Sequence, residues 1–323
     1  MISQLDQLKD MTTIVADSGD IALIEKYLPV DATTNPTLIL QAAKNQRYRH
    51  LIELAILYAK EKCEDPNKML TLALEKVFVN FGMQILKIIP GRVSIEVDAR
   101  CSFDEEKSYK KAKRIIALFE EMQIPRSRIL IKLAATWEGI AAAKRLEKEN
   151  IHCNLTLLFS LTQAISCAEA YVTLISPFVG RVLDWHKKNY PHKNYEGADD
   201  PGVSLVRQVY YYFKKFKYPT QIMGASFRNT SEILHLSGCD LLTISPTLLE
   251  KLHENTALVE RNLTIEKARS LNIEKIPIDK ASFHEKLRSN PMAYEKLHEG
   301  IKRFSEDIEK LEQLIETQLS VSV

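Results

Sequence analysis

Short apolar segments alternate with longer amphipathic segments along most of this chain, and this alternation limits its fold more than any other feature. Eight of the short segments have the apolar and β-branched content that is typical of strands. They are Thr12–Ala16, Ala32–Thr34, Val93–Val97, Ile129–Leu133, Ile151–Leu155, Val172–Ile175, Gln221–Ala225 and Leu241–Ile244. Strands joined by helical segments form parallel sheets. Eight such units predict an α/β fold, a closed (β/α)8 barrel, and an open doubly wound sheet is the alternative.

Helical segments lie between these strands and after the last of them. The apolar repeat predicts helices at Glu105–Met122, Thr136–Glu149, Val203–Lys215 and Thr230–Leu236. The polar segment His186–Pro201 predicts a surface loop. Apolar residues at three- and four-residue steps near the end of the chain predict an amphipathic C-terminal helix. These residues are Leu297, Ile301, Phe304, Ile308, Leu311 and Ile315.

The length and the uniform pattern bear on domain organisation. A chain of 323 residues can form one barrel. Neither an internal repeat nor a linker is visible in the sequence. We therefore expect a single barrel domain over residues 1–323, with additional helices at the termini.

Composition limits the class of partner. The 44 basic residues nearly cancel the 42 acidic ones, which leaves a formal net charge of +2. This balance favours neither nucleic acid nor a membrane surface as a partner. The first ten residues carry charges and no apolar leader, and no uninterrupted apolar run approaches the roughly 18 residues of a membrane span. We expect a cytoplasmic protein.

Glycine and cysteine usage bear on cofactors. Ten glycines are few for 323 residues, and neither of the glycine-rich phosphate motifs occurs. A bound phosphate would then be held by arginine side chains and backbone amides. The five cysteines are irregularly spaced and form no C-x-x-C pair. No metal site and no cofactor is expected.

Polar side chains stand at the C-terminal ends of the predicted strands, where barrel enzymes have their active sites. Residues two apart on a strand share a face. This rule groups Ser94 with Glu96 and Asn154 with Thr156. The other candidates at strand ends are Asp17, Thr33, Asn35, Ser176, Ser226 and Arg228. A site for polar substrates is expected at this end of the barrel.

Lys132 is the candidate that is hardest to explain as a structural residue. It lies in an apolar strand, where lysine is uncommon and rarely buried without a partner. Its amine could reach water at the rim of the barrel. If it is buried instead, the neutral amine is favoured and can attack a carbonyl to form an imine. Glu96 and Asp17 then become the candidate proton-transfer groups.

Seven runs of residues resemble the transaldolase family. They are Val15–Asp20 (V-A-D-S-G-D), Asp31–Pro36 (D-A-T-T-N-P), Glu96–Arg100 (E-V-D-A-R), Ile131–Ala134 (I-K-L-A), Asn154–Phe159 (N-L-T-L-L-F), Ile175–Arg181 (I-S-P-F-V-G-R) and Met223–Asn229 (M-G-A-S-F-R-N). The second and sixth are highly specific, and the resemblance runs from about residue 5 to residue 318. It implies an eight-fold α/β barrel, a homodimer, and no metal.

The resemblance also implies the reaction. A dihydroxyacetone unit would pass from sedoheptulose 7-phosphate or fructose 6-phosphate to glyceraldehyde 3-phosphate or erythrose 4-phosphate, in the non-oxidative pentose phosphate pathway. Lys132 is implied as the imine-forming nucleophile and Asp17 as the acid–base group at the cleaved bond. Glu96 and Thr156 are implied to hold a water that relays protons.

Substrate contacts are implied for the remaining matched residues. Asn35, Asn154 and Ser176 would bond donor hydroxyls, Arg181, Ser226 and Arg228 would hold the phosphate, and Thr33 and Phe178 would form the pocket wall. Two residues depart from the family pattern. Ile95 stands where a threonine is expected and Ala135 where a serine is expected. Neither is a catalytic position, and Ile95 should face away from Glu96.

Other classes of protein compete with this interpretation. A glycosidase could use Glu96 and Asp17 as its carboxylate pair, but it would leave Lys132 without a role. A non-catalytic barrel that binds sugar phosphates would need no amine. An aldolase that releases free dihydroxyacetone would share the imine. The side chain at 178 is Phe, which cannot donate a proton to the enamine, and this favours a transferase over an aldolase.

Overall fold

The computed structural model describes residues 2–321 and contains a closed barrel of eight parallel strands. They are β1 (Thr13–Asp17), β2 (Asp31–Thr33), β3 (Val93–Glu96), β4 (Ile129–Ala134), β5 (Cys153–Leu158), β6 (Leu174–Pro177), β7 (Gln221–Gly224) and β8 (Leu241–Ile244). Each strand pairs with the next in sequence, and β8 pairs with β1. The predicted barrel is confirmed. The open doubly wound sheet is excluded, because such a sheet would leave two edge strands unpaired.

Fifteen α-helices lie within residues 2–321. They are α1 (Gln4–Lys9), α2 (Ile21–Tyr27), α3 (Pro36–Ala43), α4 (Arg49–Lys62), α5 (Pro66–Leu86), α6 (Glu105–Glu121), α7 (Trp137–Lys148), α8 (Leu161–Glu169), α9 (Gly180–Asn189), α10 (Pro201–Lys215), α11 (Thr230–Leu234), α12 (Pro246–Glu254), α13 (Ile265–Ser270), α14 (Lys280–Arg288) and α15 (Pro291–Val321). Several begin at a polar cap followed by proline, as at Asn35-Pro36, where the Leu38 amide donates to Asn35 Oδ1 over 2.9 Å.

Two strands, β5 and β6, begin two residues later than predicted, and the cause is helix termination. The apolar residues Ile151 and Val172 were assigned to β5 and β6, but both lie before these strands. Their amides donate to carbonyls in the last turns of α7 and α8. The residues before them, Asn150 and Tyr171, both have a φ of 58°. A left-handed residue followed by an apolar one is the usual helix C-terminal motif, so these apolar residues close helices.

The predicted loop at His186–Pro201 is wrong at both ends. Helix α9 continues to Asn189, and Pro201 is the first residue of α10. The rings of Trp185 and Tyr190 pack against His186, with centroids 5.1 and 6.3 Å from its ring. Aromatic packing of this kind extends the helix beyond the point that its polar composition suggests.

The strands separate two apolar regions. The barrel interior contains a small cluster of five buried side chains: Val15, Leu130, Leu174, Met223 and Leu241. The residues next to them in sequence, such as Ile131 and Leu242, point outward into the much larger core between strands and helices. Each strand thus supplies alternate residues to the two regions, as its pleat requires.

Two long helices complete the structure. The apolar stripe predicted for the C-terminal helix is buried in α15, which confirms that helix. Thr37 Oγ1 donates to Asp307 Oδ2 over 2.5 Å and thereby joins α3 to α15. Helix α5 is the one helix in the described chain that is long and apolar enough to cross a membrane, and 67% of its apolar window is buried inside the protein. Such burial is typical of a core helix.

Candidate active site

A layer of polar side chains lies next to the apolar interior cluster, one step further toward the C-terminal ends of the strands. Lys132 follows Leu130 on the inner face of β4, and its side chain is 6% exposed. The amine donates to the Thr34 carbonyl oxygen over 3.1 Å. Its Nζ also lies 3.2 Å from Glu96 Oε2. Lys132 is therefore buried beside a carboxylate, and the alternative of an amine at the rim is wrong.

Two carboxyl groups lie near this amine: Glu96 is buried, and Asp17 is half-buried. Burial raises the pKa of Asp17, while the charges of Lys132 and Arg181 and a hydrogen bond from Thr33 Oγ1 (3.1 Å) oppose that rise. Burial also raises the pKa of Glu96, and the nearby Lys132 amine again opposes the rise. Carboxyl groups with raised pKa values can exchange protons with substrate near neutral pH.

Hydrogen bonds fix the rest of the polar layer. Asn154 Nδ2 donates to Ser94 Oγ over 3.0 Å, and Ser176 Oγ donates to Asn154 Oδ1 over 2.6 Å. On the other side of the barrel, the hydroxyls of Thr33 and Thr243 lie 2.8 Å apart. These bonds cross between strands, so each polar side chain is held in one orientation.

Two buried oxygen atoms in this layer lack a hydrogen bond. Within the described chain, Thr156 Oγ1 and Glu96 Oε2 have no hydrogen-bonding partner, although Oε2 is in ionic contact with Lys132. Buried polar atoms are rarely left unpaired in native proteins. Both atoms can therefore accept from a bound water or a substrate hydroxyl, which fits the proton relay that the family resemblance implies.

A narrow cleft opens above the polar layer. It is lined by Asp17, Thr33, Asn35, Lys132, Thr156, Ser176, Phe178, Arg181, Met223, Ala225, Ser226 and Thr243. Nine of these are residues that the sequence singled out. Of the other three that it singled out, Asn154 lies below the cleft, bonded to Ser176, and Glu96 borders a neighbouring small cavity.

The twelfth predicted residue, Arg228, is held outside the cleft. Its guanidinium donates to Asp184 Oδ2 over 2.7 Å, and both side chains are exposed. Arg181 lines the cleft instead and is half-buried, with its guanidinium 5.0 Å from the Phe178 ring centroid and 5.6 Å from that of Phe304. Burial and the charges of two nearby arginines lower the pKa of Arg181 to about 10. A dianionic ligand would relieve this crowding of positive charge.

Three cleft residues were not predicted: Met223, Ala225 and Thr243. Thr243 carries a usable signal, because it is the only polar residue in β8 and lies two positions after Leu241, on the inner face. The same two-residue rule that grouped Ser94 with Glu96 would have found it. Met223 and Ala225 are apolar and carry no chemical signal in the sequence.

The two departures from the family pattern lie away from this layer. Ile95 is fully buried in the outer core, as predicted, where a Cβ added to Gly82 of α5 would come within 2.9 Å of Ile95 Cδ1. Ala135 follows β4 and is also buried in that core. Among residues 2–321, no three His, Cys, Asp or Glu side chains are grouped as metal ligands would be.

Comparison with known proteins agrees with this arrangement. The family model for transaldolase/fructose-6-phosphate aldolase matches residues 14–315. The chain is 56% identical to a transaldolase of Protochlamydia amoebophila over 319 residues, 99% of either chain. It is 52% identical to a transaldolase of Homo sapiens over 316 residues, which are 98% of this chain and 94% of the relative. Such similarity excludes the glycosidase and the non-catalytic barrel. The chain belongs to the transaldolase/fructose-6-phosphate aldolase family, and it is an enzyme with transaldolase activity.

Proposed function

We propose that the enzyme transfers a dihydroxyacetone unit between sugar phosphates through an imine on Lys132. One observation carries this proposal: the Lys132 amine is buried in the cleft, beside Glu96 and among groups that can bond sugar hydroxyls. An amine is a nucleophile toward a ketone only when it is neutral. A carboxylate 3.2 Å away can take up its proton.

The residues around the amine support each step. Lys132 Nζ attacks the carbonyl carbon of the ketose phosphate and forms a carbinolamine. Loss of water from this adduct gives the protonated imine, and a water held between Glu96 and Thr156 would move the protons. Their unpaired oxygens are available for that purpose.

Cleavage of the carbon–carbon bond then needs a base. Asp17 lies at the end of β1 and lines the cleft, where it can take the proton from the hydroxyl next to the bond that breaks. The electron pair of that bond moves toward the imine nitrogen, the aldose phosphate leaves, and an enamine of dihydroxyacetone remains on Lys132. Addition of the second aldose phosphate reverses these steps.

The phosphate would be held at the end of the cleft that carries Arg181 and Ser226. Ser226 has a φ of 61°, which is unusual for a residue other than glycine. Ser226 lines the cleft in this conformation. Arg228 would exchange its bond with Asp184 for one with the phosphate, because a dianion is the stronger acceptor.

The setting of the reaction is part of the same proposal. Family membership supports sugar phosphates as substrates, a place in the non-oxidative pentose phosphate pathway and a homodimer in the cytoplasm. The near-zero net charge agrees with partners that are neither nucleic acid nor membrane.

Borohydride trapping tests the imine directly. Incubation with fructose 6-phosphate and borohydride should reduce the imine to a stable secondary amine, and peptide mass spectrometry should place the adduct on Lys132. Lys76 is a matched control, because it is another buried lysine, in α5, with its amine 4.4 Å from the Tyr58 ring centroid. Lys76→Met should leave the adduct unchanged. An adduct on another lysine, or an undiminished adduct in Lys132→Met, would overturn the proposal.

A further inference from the structure

Two carboxyl groups meet behind the loop that follows β7, outside the cleft. Glu232 lies in the first turn of α11 and Asp200 immediately precedes α10, and each residue is 2% exposed. Both side chains border the same cavity, and each carboxyl group shifts the pKa of the other. Two carboxylates buried side by side repel each other, so the buried pair favours a state in which one of them carries a proton.

Each carboxyl group also accepts a hydrogen bond from a backbone amide. The backbone amide of Arg228 donates to Glu232 Oε2 over 2.6 Å. Asp200 Oδ1 caps α10 by accepting from the amides of Gly202 (2.7 Å) and Val203 (3.2 Å). The other Glu232 oxygen, Oε1, is buried and has no hydrogen bond to a donor atom within the described chain. A proton on this oxygen, donated toward Asp200, would satisfy it.

This pair joins the two loops that form the proposed phosphate site. Gly202 packs so closely on the loop after β6 that an added Cβ would lie 2.2 Å from the Val179 carbonyl oxygen. Gly180 is the first residue of α9, directly after that loop. Its amide donates to the Ser226 carbonyl oxygen over 2.9 Å. Asp200 is thus anchored to the Arg181 side of the site and Glu232 to the Arg228 side.

We propose that Glu232 is a positioning residue that fixes the loop Ser226–Arg228 for phosphate binding, by means of the proton it shares with Asp200. Glu232 itself touches no reacting atom. The inference rests on the proposed phosphate site at Arg181, Ser226 and Arg228. When that proton leaves, the two buried carboxylates repel each other, and Glu232 is displaced together with the Arg228 amide that donates to it.

The charged groups around Glu232 and Asp200 set the pH at which the pair loses its proton. Burial raises the pKa of Glu232 to about 7, and the charge of Asp200 adds to the rise. Burial also raises the pKa of Asp200, whereas Lys187 of α9 lowers it. A cavity beside the pair is lined further by Tyr195 and Glu196, and His235 lies near the loop at Gly197.

Replacement of Glu232 with Gln removes the titration of this side chain but keeps its hydrogen bonds. A glutamine amide can donate to Asp200 while its oxygen accepts from the Arg228 amide, so Glu232→Gln mimics the protonated state at every pH. For fructose 6-phosphate, the KM of the wild type should rise about fivefold relative to Glu232→Gln between pH 6.5 and 8.5, with kcat little changed. The titration of the substrate phosphate affects both enzymes equally and cancels in this ratio.

Three controls make the result specific. Glu196 lines the same cavity, but its carboxylate makes no bond to the loop. Glu196→Gln should therefore leave the pH dependence of KM as it is in the wild type. With unphosphorylated fructose, the ratio of the KM values of the wild type and Glu232→Gln should stay constant with pH. Arg228→Ala should lower kcat/KM for fructose 6-phosphate far more than for fructose.

Stability gives an independent measure of the shared proton. The pKa of Glu232 is raised from 4.5 to about 7 in the folded state, so the unfolded chain loses this proton first as the pH rises. The contribution of Glu232 to stability therefore falls between about pH 4.5 and 7 and stays low above that range. Glu232→Gln should raise Tm more at pH 8 than at pH 5.

The outcomes separate the two proposals. Equal loss on both sugars in Arg228→Ala would remove the phosphate site, and the inference with it. A discriminating Arg228→Ala, combined with a ratio of KM values that does not change with pH, would overturn the role of Glu232 alone. So would a Tm difference that does not grow from pH 5 to pH 8.

Discussion

The inside of the barrel and the layer between strands and helices are built from the same strands, yet they differ in almost every physical respect. Inside, five apolar side chains form one small cluster, and above it lie an ion pair, several hydroxyls and a second, half-buried carboxyl group. Outside, apolar side chains from all parts of the fold form a far larger cluster, with scattered buried polar residues such as Lys76 and Asn80 beside it. Residues such as Leu130 and Ile131 are neighbours in sequence and belong to different regions.

Because of this difference, the outer core supplies most of the stability and the inner polar layer supplies the reactive groups. Burial of apolar area stabilises the outer core in proportion to its size. The polar layer inside is costly to bury, because charged and hydroxyl groups lose their hydration there. Such a layer persists because the large outer core holds the strands in place around it. Substitutions in the two regions should therefore damage different properties of the enzyme.

The largest expected effect is on activity. Lys132→Met removes the nucleophile and should lower kcat by at least about a thousandfold, because no other group in the cleft can form the imine. The outer core is unchanged in this variant, so its thermal unfolding should stay cooperative and its far-UV circular dichroism should match the wild type. Lys76→Met, the buried lysine of the outer layer, should keep its activity. Substantial activity in Lys132→Met would show that catalysis does not depend on the polar layer inside the barrel.

The next effect is on stability. Ile131→Ala, in the outer core, should lower the free energy of unfolding by about 2–5 kcal/mol, with kcat per folded molecule close to that of the wild type. Leu130→Ala, one residue earlier and directly below Lys132 on the inner face, should lower both quantities. Urea unfolding and kinetics on the same samples measure them. Equal loss of kcat in the two variants would show that the regions are not independent.

The smallest effect concerns the fate of the enamine. Phe178 lines the cleft, and its ring packs edge-on against Phe159 with centroids 5.3 Å apart. Phe178→Tyr adds a hydroxyl that can donate a proton to the enamine, so it should raise the fraction of dihydroxyacetone released as free product. Fold stability should change little, since the ring is retained.

The unmutated enzyme provides the reference for this measurement. With fructose 6-phosphate alone it should turn over slowly, and erythrose 4-phosphate should accelerate it and yield sedoheptulose 7-phosphate. If most of the three-carbon unit leaves as free dihydroxyacetone even with this acceptor present, the enzyme is an aldolase in practice.

Much of the fold and the site was predictable, because both depend on local periodicity. Alternation along each strand assigned Lys132 and Leu130 to one face and Ile131 to the other, and the structure agrees. The errors have local causes as well. Ile151 and Val172 resemble strand residues in composition, but left-handed residues before them make them the ends of helices. Backbone conformation of that kind is not visible in a pattern of apolar residues.

The sequence by itself determined the eight-stranded barrel, the family and nine of the twelve residues that line the cleft, because strand parity and motif identity are properties of neighbouring residues. Only the tertiary structure decided which of two predicted arginines enters the cleft. Arg181 lines the cleft, whereas Arg228 lies before α11 and is paired with Asp184 of α9. The pairing of Asp200 with Glu232 was likewise decided only in three dimensions. The interaction of two charges depends on distance and burial, and the fold sets both.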